Sequence, residues 1–189
     1  PNPVHPADSQ TDTGSTGSFS VTVHDSDTAT DANGTLLSDV SITGNADVNA
    51  DGASGTANLD SVWIAANSKP VGSPNQGGLF SINMRFFYSF TTDEPVTIVV
   101  DVNTLLGGTG DVPSGMAAMS VNHAITFDNV DFVNISLNGP THAEYSVGPG
   151  VHQFQIDHIP NSGISPWPNV TMTFNSDIAF SIVPEPATA

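Results

Sequence analysis

From Leu79 to Phe90 the chain places Phe80, Ile82, Met84, Phe86, Tyr88 and Phe90 at every second position. A period of two is the signature of a pleated strand with one buried face, and a helix would scatter these six side chains around its axis. The stretch predicts the central core strand of a β-protein, with Asn83, Arg85 and Phe87 on the opposite, mixed face. Weaker copies of the pattern run through the rest of the chain: Phe19, Val21 and Val23; Val40 and Ile42; Leu59, Val62 and Ile64; Val133, Ile135 and Leu137; Val170, Met172 and Phe174; and Ile178 to Ile182. Val96 to Val102 is nearly all β-branched, which suits a strand buried on both faces or at a sheet centre.

Punctuation between these segments comes from glycine and proline. Gly107-Gly108-Thr109-Gly110 and Pro113-Ser114-Gly115 predict a long loop, Met116 begins a stretch that could open with one helical turn, and Gly148-Pro149-Gly150 predicts the turn of a late hairpin. Roughly ten to twelve short strands, spaced by about 8–15 residues, argue for an antiparallel β-sandwich of jelly-roll type. At 189 residues the chain suits one domain with its own core. The expected division is a polar tail or donated arm over residues 1–17, the sandwich over 18–182, and a short tail over 183–189.

Charge narrows the partners. Lys69 and Arg85 stand against 19 acidic residues, for a formal charge of −17. Such a surface repels phosphate backbones and anionic membrane surfaces, so nucleic acid and membrane are excluded as partners. Cations, neutral glycans such as an exopolysaccharide, and other copies of the same chain with the repulsion screened are what remain. No run of about 18 apolar residues spans a membrane. There is no cysteine, so stability must come from packing, metal or assembly.

After the last alternating segment comes Val183-Pro184-Glu185-Pro186, where two prolines forbid continued strand pairing. This motif resembles the sorting signal of PEP-CTERM proteins. The resemblance implies export by a Gram-negative, exopolysaccharide-making bacterium, processing by an exosortase, and a secreted or cell-surface location. The membrane helix and basic cluster that complete the family signal do not follow here. The expectation is that processing has removed them or that the chain stops short of them.

Candidate chemistry is sparse. Asp47-Val48-Asn49-Ala50-Asp51-Gly52 has the spacing of a calcium loop, where alternate oxygen-bearing side chains converge and glycine allows the sharp turn. Asn58 occupies the closing position at which an EF-hand carries glutamate, so an EF-hand is excluded; a calcium-binding β-loop or a solvated acidic turn remains. Asp25, Asp27 and Asp31 form a second acidic cluster, and both clusters are expected at one loop end of the sandwich. Trp167 and Trp63 are the candidate platforms for stacking on sugar rings, or else plugs for the ends of the core. The six histidines show no tight metal-ligand spacing. No nucleophile elbow is present, and Asp128 with Asp131 is the kind of carboxylate pair any acidic chain offers.

The expectation is therefore a non-catalytic structural protein of the bacterial cell surface or extracellular matrix. It would self-assemble into filaments by strand or arm exchange, with Phe19, Val21 and Val23 inside a donor segment from Ser15 to His24. The alternative is a carbohydrate-binding module associated with exopolysaccharide. Calcium is the one cofactor anticipated, and a hydrolase is the least supported class.

Overall fold

The computed structural model describes residues 16–68, 78–81, 83–110, 120–128, 130–136, 139–164 and 169–186. Within them the chain forms eleven strands. These are β1 (Gly17–Asp31), β2 (Gly34–Val48), β3 (Ser54–Asn67), β4 (Gly78–Ser81), β5 (Met84–Thr92), β6 (Val96–Gly110), β7 (Ser120–Phe127), β8 (Val130–Ser136), β9 (Gly139–Val147), β10 (Gly150–Ile164) and β11 (Val170–Pro184). Six of them build one antiparallel sheet in the order β1-β2-β3-β11-β6-β9. The other five build a second, β4-β10-β7-β8, with β5 also pairing β10.

The two sheets pack face to face as a β-sandwich, because alternate residues of each turn apolar side chains inward. On β11 Val170, Met172, Phe174, Ile178 and Phe180 are buried while Thr173, Asp177 and Ala179 are exposed. The middle of the core is an aromatic nest. Phe154 of β10 lies 5.9 Å from Phe86, 5.7 Å from Tyr88, 6.2 Å from Phe127 and 5.1 Å from Phe180 of the facing sheet. Offset and tilted rings at these separations add to the gain from area burial.

A second buried cluster contains Leu36, Trp63, Ala65, Val170, Met172 and Phe174. The Trp63 indole N–H donates to Ser38 Oγ at 2.9 Å, which satisfies a donor that burial would otherwise orphan. Between the clusters lies a seam of buried hydroxyls. Thr104 and Ser176 are register partners whose oxygens sit 3.3 Å apart, and Ser61 faces Phe174 on the next strand.

Several expectations need correction. The strands are long: β1, β2, β6, β10 and β11 each run 15 residues. Serine, threonine, aspartate and glycine read as loop in the sequence, but half of a strand facing water tolerates them. Thus Gly107 to Gly110 continues β6 rather than opening a loop, and the segments ending at Phe174 and beginning at Ile178 fuse into one strand. That strand also takes in Val183 and Pro184, opposite Thr97 and Val96.

The Leu79–Phe90 stretch is split into β4 and β5, and β5 is no centre strand: among the described strands it pairs β10 alone. The strands that do lie inside the sheets are β2, β3, β11 and β6 in the larger and β10 and β7 in the smaller. The run from Val96 to Val102 belongs to β6, which lies inside the larger sheet between β11 and β9 as one of the two expected arrangements has it; it is buried on one face, with Asp101 exposed on the other. Nor do the segments flanking Gly148-Pro149-Gly150 form a hairpin, since β9 belongs to the larger sheet and β10 to the smaller. The predicted helical turn at Met116 lies outside the described residues.

Candidate functional site

The larger sheet is wider than the smaller one, and the difference falls at one edge. Beyond β3 it adds the hairpin β1–β2, whereas the smaller sheet stops at β5. The hairpin's inward face is apolar over its first half, with Phe19, Val21, Ala46 and Val48; of these only Val48 is fully covered by the main core. A groove of about 970 Å³ results, walled by those residues on one side and by Arg85, Phe87, Ser89 and Thr91 of β5 on the other. Phe19, Val21 and Ala46 are only half-buried there. Phe87 is 50% exposed.

Two contacts fix the groove's shape. Tyr88 donates from its hydroxyl to the Gly52 carbonyl at 2.7 Å, tying β5 to the β2–β3 turn; burial, and then the charge of Asp51, hold its pKa above the ordinary 10.0. Arg85 Nε lies 2.7 Å from Asp157 Oδ1, an ion pair half open to water on the arginine side. Gln155 Nε2 donates to the other Asp157 oxygen, Oδ2, at 2.6 Å. The carboxylate thus anchors one of the chain's two cations at the groove wall.

The calcium-like segment is the turn between β2 and β3. Gly52 N–H donates to the Asn49 carbonyl at 2.8 Å, Ala53 N–H to Asp51 Oδ1 at 2.9 Å, and Asn49 Nδ2 to Ser54 Oγ at 2.6 Å. Gly52 adopts φ +69°, which its lack of a side chain allows. Asp47 precedes the turn, on β2 opposite Ser18. The polar groups of Asn49 and Asp51 are thereby used to close a hairpin.

Asp25, Asp27 and Asp31 lie on β1, opposite Val40, Ser38 and Gly34. The acidic groups do not share a loop end. Seven to thirteen residues of β2 separate those partner positions from Asp47, which at about 3.4 Å per residue is roughly 24–44 Å. Among the described residues no three His, Asp or Glu side chains converge as metal ligands would.

Trp63 is 1% exposed and cannot stack on a sugar from its place in the core. Trp167 and His5 lie outside the described residues. Phe19, Val21 and Val23 are paired within the chain, opposite Ala46, Gly44 and Ile42. Nothing in the sequence pointed to Arg85, Phe87 and the β1–β2 wall as neighbours, because the two walls are some 40–65 positions apart and meet only through sheet packing.

Asp128 is held by a histidine rather than by a second carboxylate. His152 Nδ1 lies 2.8 Å from Asp128 Oδ2, its Nε2 lies 2.8 Å from the Gly148 carbonyl, and Asp128 Oδ1 accepts the Gln153 N–H at 2.9 Å. The Asp128 hydrogen bond raises the His152 pKa above 6.5; burial opposes the rise and the Gly148 carbonyl adds to it. Because the folded value exceeds the unfolded one, this contribution to stability is complete below about pH 6.5 and is lost as pH rises through the folded pKa. Melting temperature should therefore fall from about pH 6 to about pH 9, where carboxylates no longer titrate, and His152→Gln should flatten the decline. An equal decline in the variant would remove His152 as its source.

These features define an all-β sandwich with an open edge and an acidic surface. Compared with protein-family models and with curated proteins, the chain matches none.

Proposed function

We propose that the chain is a non-catalytic structural protein of the cell surface or extracellular matrix, assembling by addition of a strand from a second copy along β5. The observation that supports this is the unequal width of the sheets. One further strand beside β5 would complete the smaller sheet and cover the half-buried wall of Phe19, Val21 and Ala46. Strand addition draws affinity from main-chain hydrogen bonds and specificity from pockets for alternate side chains, and the groove offers both kinds of surface.

The strand orders also support the jelly-roll reading. β3-β11-β6-β9 faces β5-β10-β7-β8, so that after β3 the chain crosses between sheets at every step except β4 to β5 and the β7–β8 hairpin, in the manner of two interleaved Greek keys, with β1–β2 as an added hairpin. Resemblance of Val183-Pro184-Glu185-Pro186 to the PEP-CTERM signal supports export to the surface of a Gram-negative bacterium. Phe19 to His24 are committed to the ladder with β2, so donating Ser15–His24 would mean opening that ladder. Residues 1–15, which precede the groove-lining Thr16 in the chain, are the donor that spares it.

A charge of −17 opposes self-association, so assembly should need salt or a divalent cation. Sedimentation velocity and electron microscopy of the full chain, with and without calcium, should show concentration-dependent oligomers or filaments. A groove variant, Val21→Glu with Ser89→Pro, should remain monomeric while keeping its β-sheet circular dichroism. Wild-type protein that stays monomeric under every condition, or a folded variant that assembles equally well, would overturn the proposal.

A further inference from the structure

The opposite surface, the outward face of the six-stranded sheet, holds a second concavity. A trough of about 920 Å³ crosses all six strands, from Ser20 on β1 to Pro140 and His142 on β9. Register lines its floor into rows perpendicular to the strands. One row is Ser20, Asn45, Asn58, Asp177, Asn103 and Pro140, each the pairing partner of the next. Because strands lie about 4.8 Å apart, the row is roughly 24 Å long and presents a polar side chain at nearly every step.

The chemistry of the row is that of amides. Asn45 and Asn58 are held in place, Asn45 Oδ1 accepting from Ser20 Oγ at 2.9 Å and Asn58 Nδ2 donating to Asp177 Oδ1 at 2.8 Å. Each of these amides keeps its other end for a ligand, and an amide both donates and accepts. The exposed Asn103 offers both ends. At the rim His142 bridges two carboxylates, with Asp101 Oδ1 2.7 Å from Nδ1 and Glu144 Oε1 3.0 Å from Nε2. Those hydrogen bonds, Asp101 first, raise its pKa above 6.5.

We propose that this trough binds a neutral glycan in extended form, lying across the strands with about one sugar per strand. Strand spacing is close to the length of one pyranose along an extended chain, so hydroxyls recurring along the glycan meet side chains recurring along the row. Along the middle of the floor, β2, β3, β11 and β6 each pair on both sides, which leaves no edge there for a peptide strand to join. Asp47, Asp101 and Asp177 make the trough acidic, which disfavours uronates and other anionic polymers. The site shares the β1–β2 segment around Ser20 and Asn45 with the β5 groove but lies on the other face of the sheet, and its success or failure leaves the assembly proposal standing.

The test is titration of the full chain with three neutral hexasaccharides, cellohexaose, laminarihexaose and mannohexaose, and with an oligogalacturonate of the same length, read by amide and side-chain NMR shifts. At least one neutral probe should give saturable shifts centred on Asn45, Asn58 and Asn103, with no effect from the anionic one. Asn58→Ala with Asn103→Ala should weaken that binding at least about tenfold at unchanged melting temperature, and Asn103→Gln should recover part of it. No saturable shift from any neutral probe, equal binding of the uronate, or undiminished binding by a folded double variant would each overturn it.

Discussion

Phe154→Ala should be the most damaging single truncation in the described core, costing about 3–5 kcal/mol. The ring is fully buried and touches four aromatic neighbours drawn from both sheets, so its removal loses the transfer energy of the side chain and leaves a cavity that rigid rings cannot collapse into. For a domain of this size each kcal/mol shifts the melting temperature by about 2–4 °C, which makes a drop of roughly 10 °C or more the expected reading. Phe87→Ala removes the same atoms from a half-exposed position and should cost about 1 kcal/mol or less. Urea titrations of the two variants decide the matter: similar midpoints would mean that the aromatic nest does not hold the sheets together.

The second large effect is expected from adding a single methyl group. Gly55 on β3 pairs with Phe180 on β11, and a Cβ built on it would stand 2.6 Å from the Asp47 carbonyl oxygen and 2.6 Å from the Phe180 ring. Both are far inside contact distance. The carbonyl belongs to the β2 ladder and the ring is locked 4.9 Å from Tyr88, so neither moves cheaply. Gly55→Ala should cost about 1–3 kcal/mol, the range for overpacking a filled core. Gly148, with open space around its Cα, provides the control, and Gly148→Ala should be close to neutral. A stable Gly55→Ala protein would show that Phe180 is free to leave its glycine.

Period-two alternation made the all-β class legible, and it marked the inward residues of β1, β5 and β11 correctly. It could not tell centre from edge. The stretch containing Phe86 and Tyr88 is the most apolar alternation in the chain, yet alternation reports only that one face is buried, while the number of hydrogen-bonded neighbours depends on where distant strands dock. The ends of strands were misjudged for a related reason: Asp25, Asp27 and Asp31 replace apolar residues on the same face of β1 as Phe19, Val21 and Val23, Gly107 to Gly110 carry no alternation, and ladder pairing requires neither.

At the candidate sites the legible part was local. Asn49 to Gly52 was readable as a sharp turn, since aspartate, asparagine and glycine close turns whether or not a cation is present. Trp63 was readable as an aromatic of consequence, though not as one whose indole N–H would find Ser38 in the core. The β5 groove and the amide row had no sequence signature at all. Both are assembled across strands, and the row owes its regularity to register, which a linear reading does not contain.

The hydroxyl seam formed by Ser61, Thr104 and Ser176 gives the molecule a built-in line of weakness. Ser61 Oγ is buried without a hydrogen-bond partner among the described residues, so the layer that separates the aromatic nest from the Trp63 cluster contributes less cohesion than the apolar packing on either side. Opening at one end of the sandwich need not propagate to the other. The end bearing the β5 groove and the end bearing Trp63 can then differ in how readily they breathe, and a neighbour that strains one of them leaves the other intact.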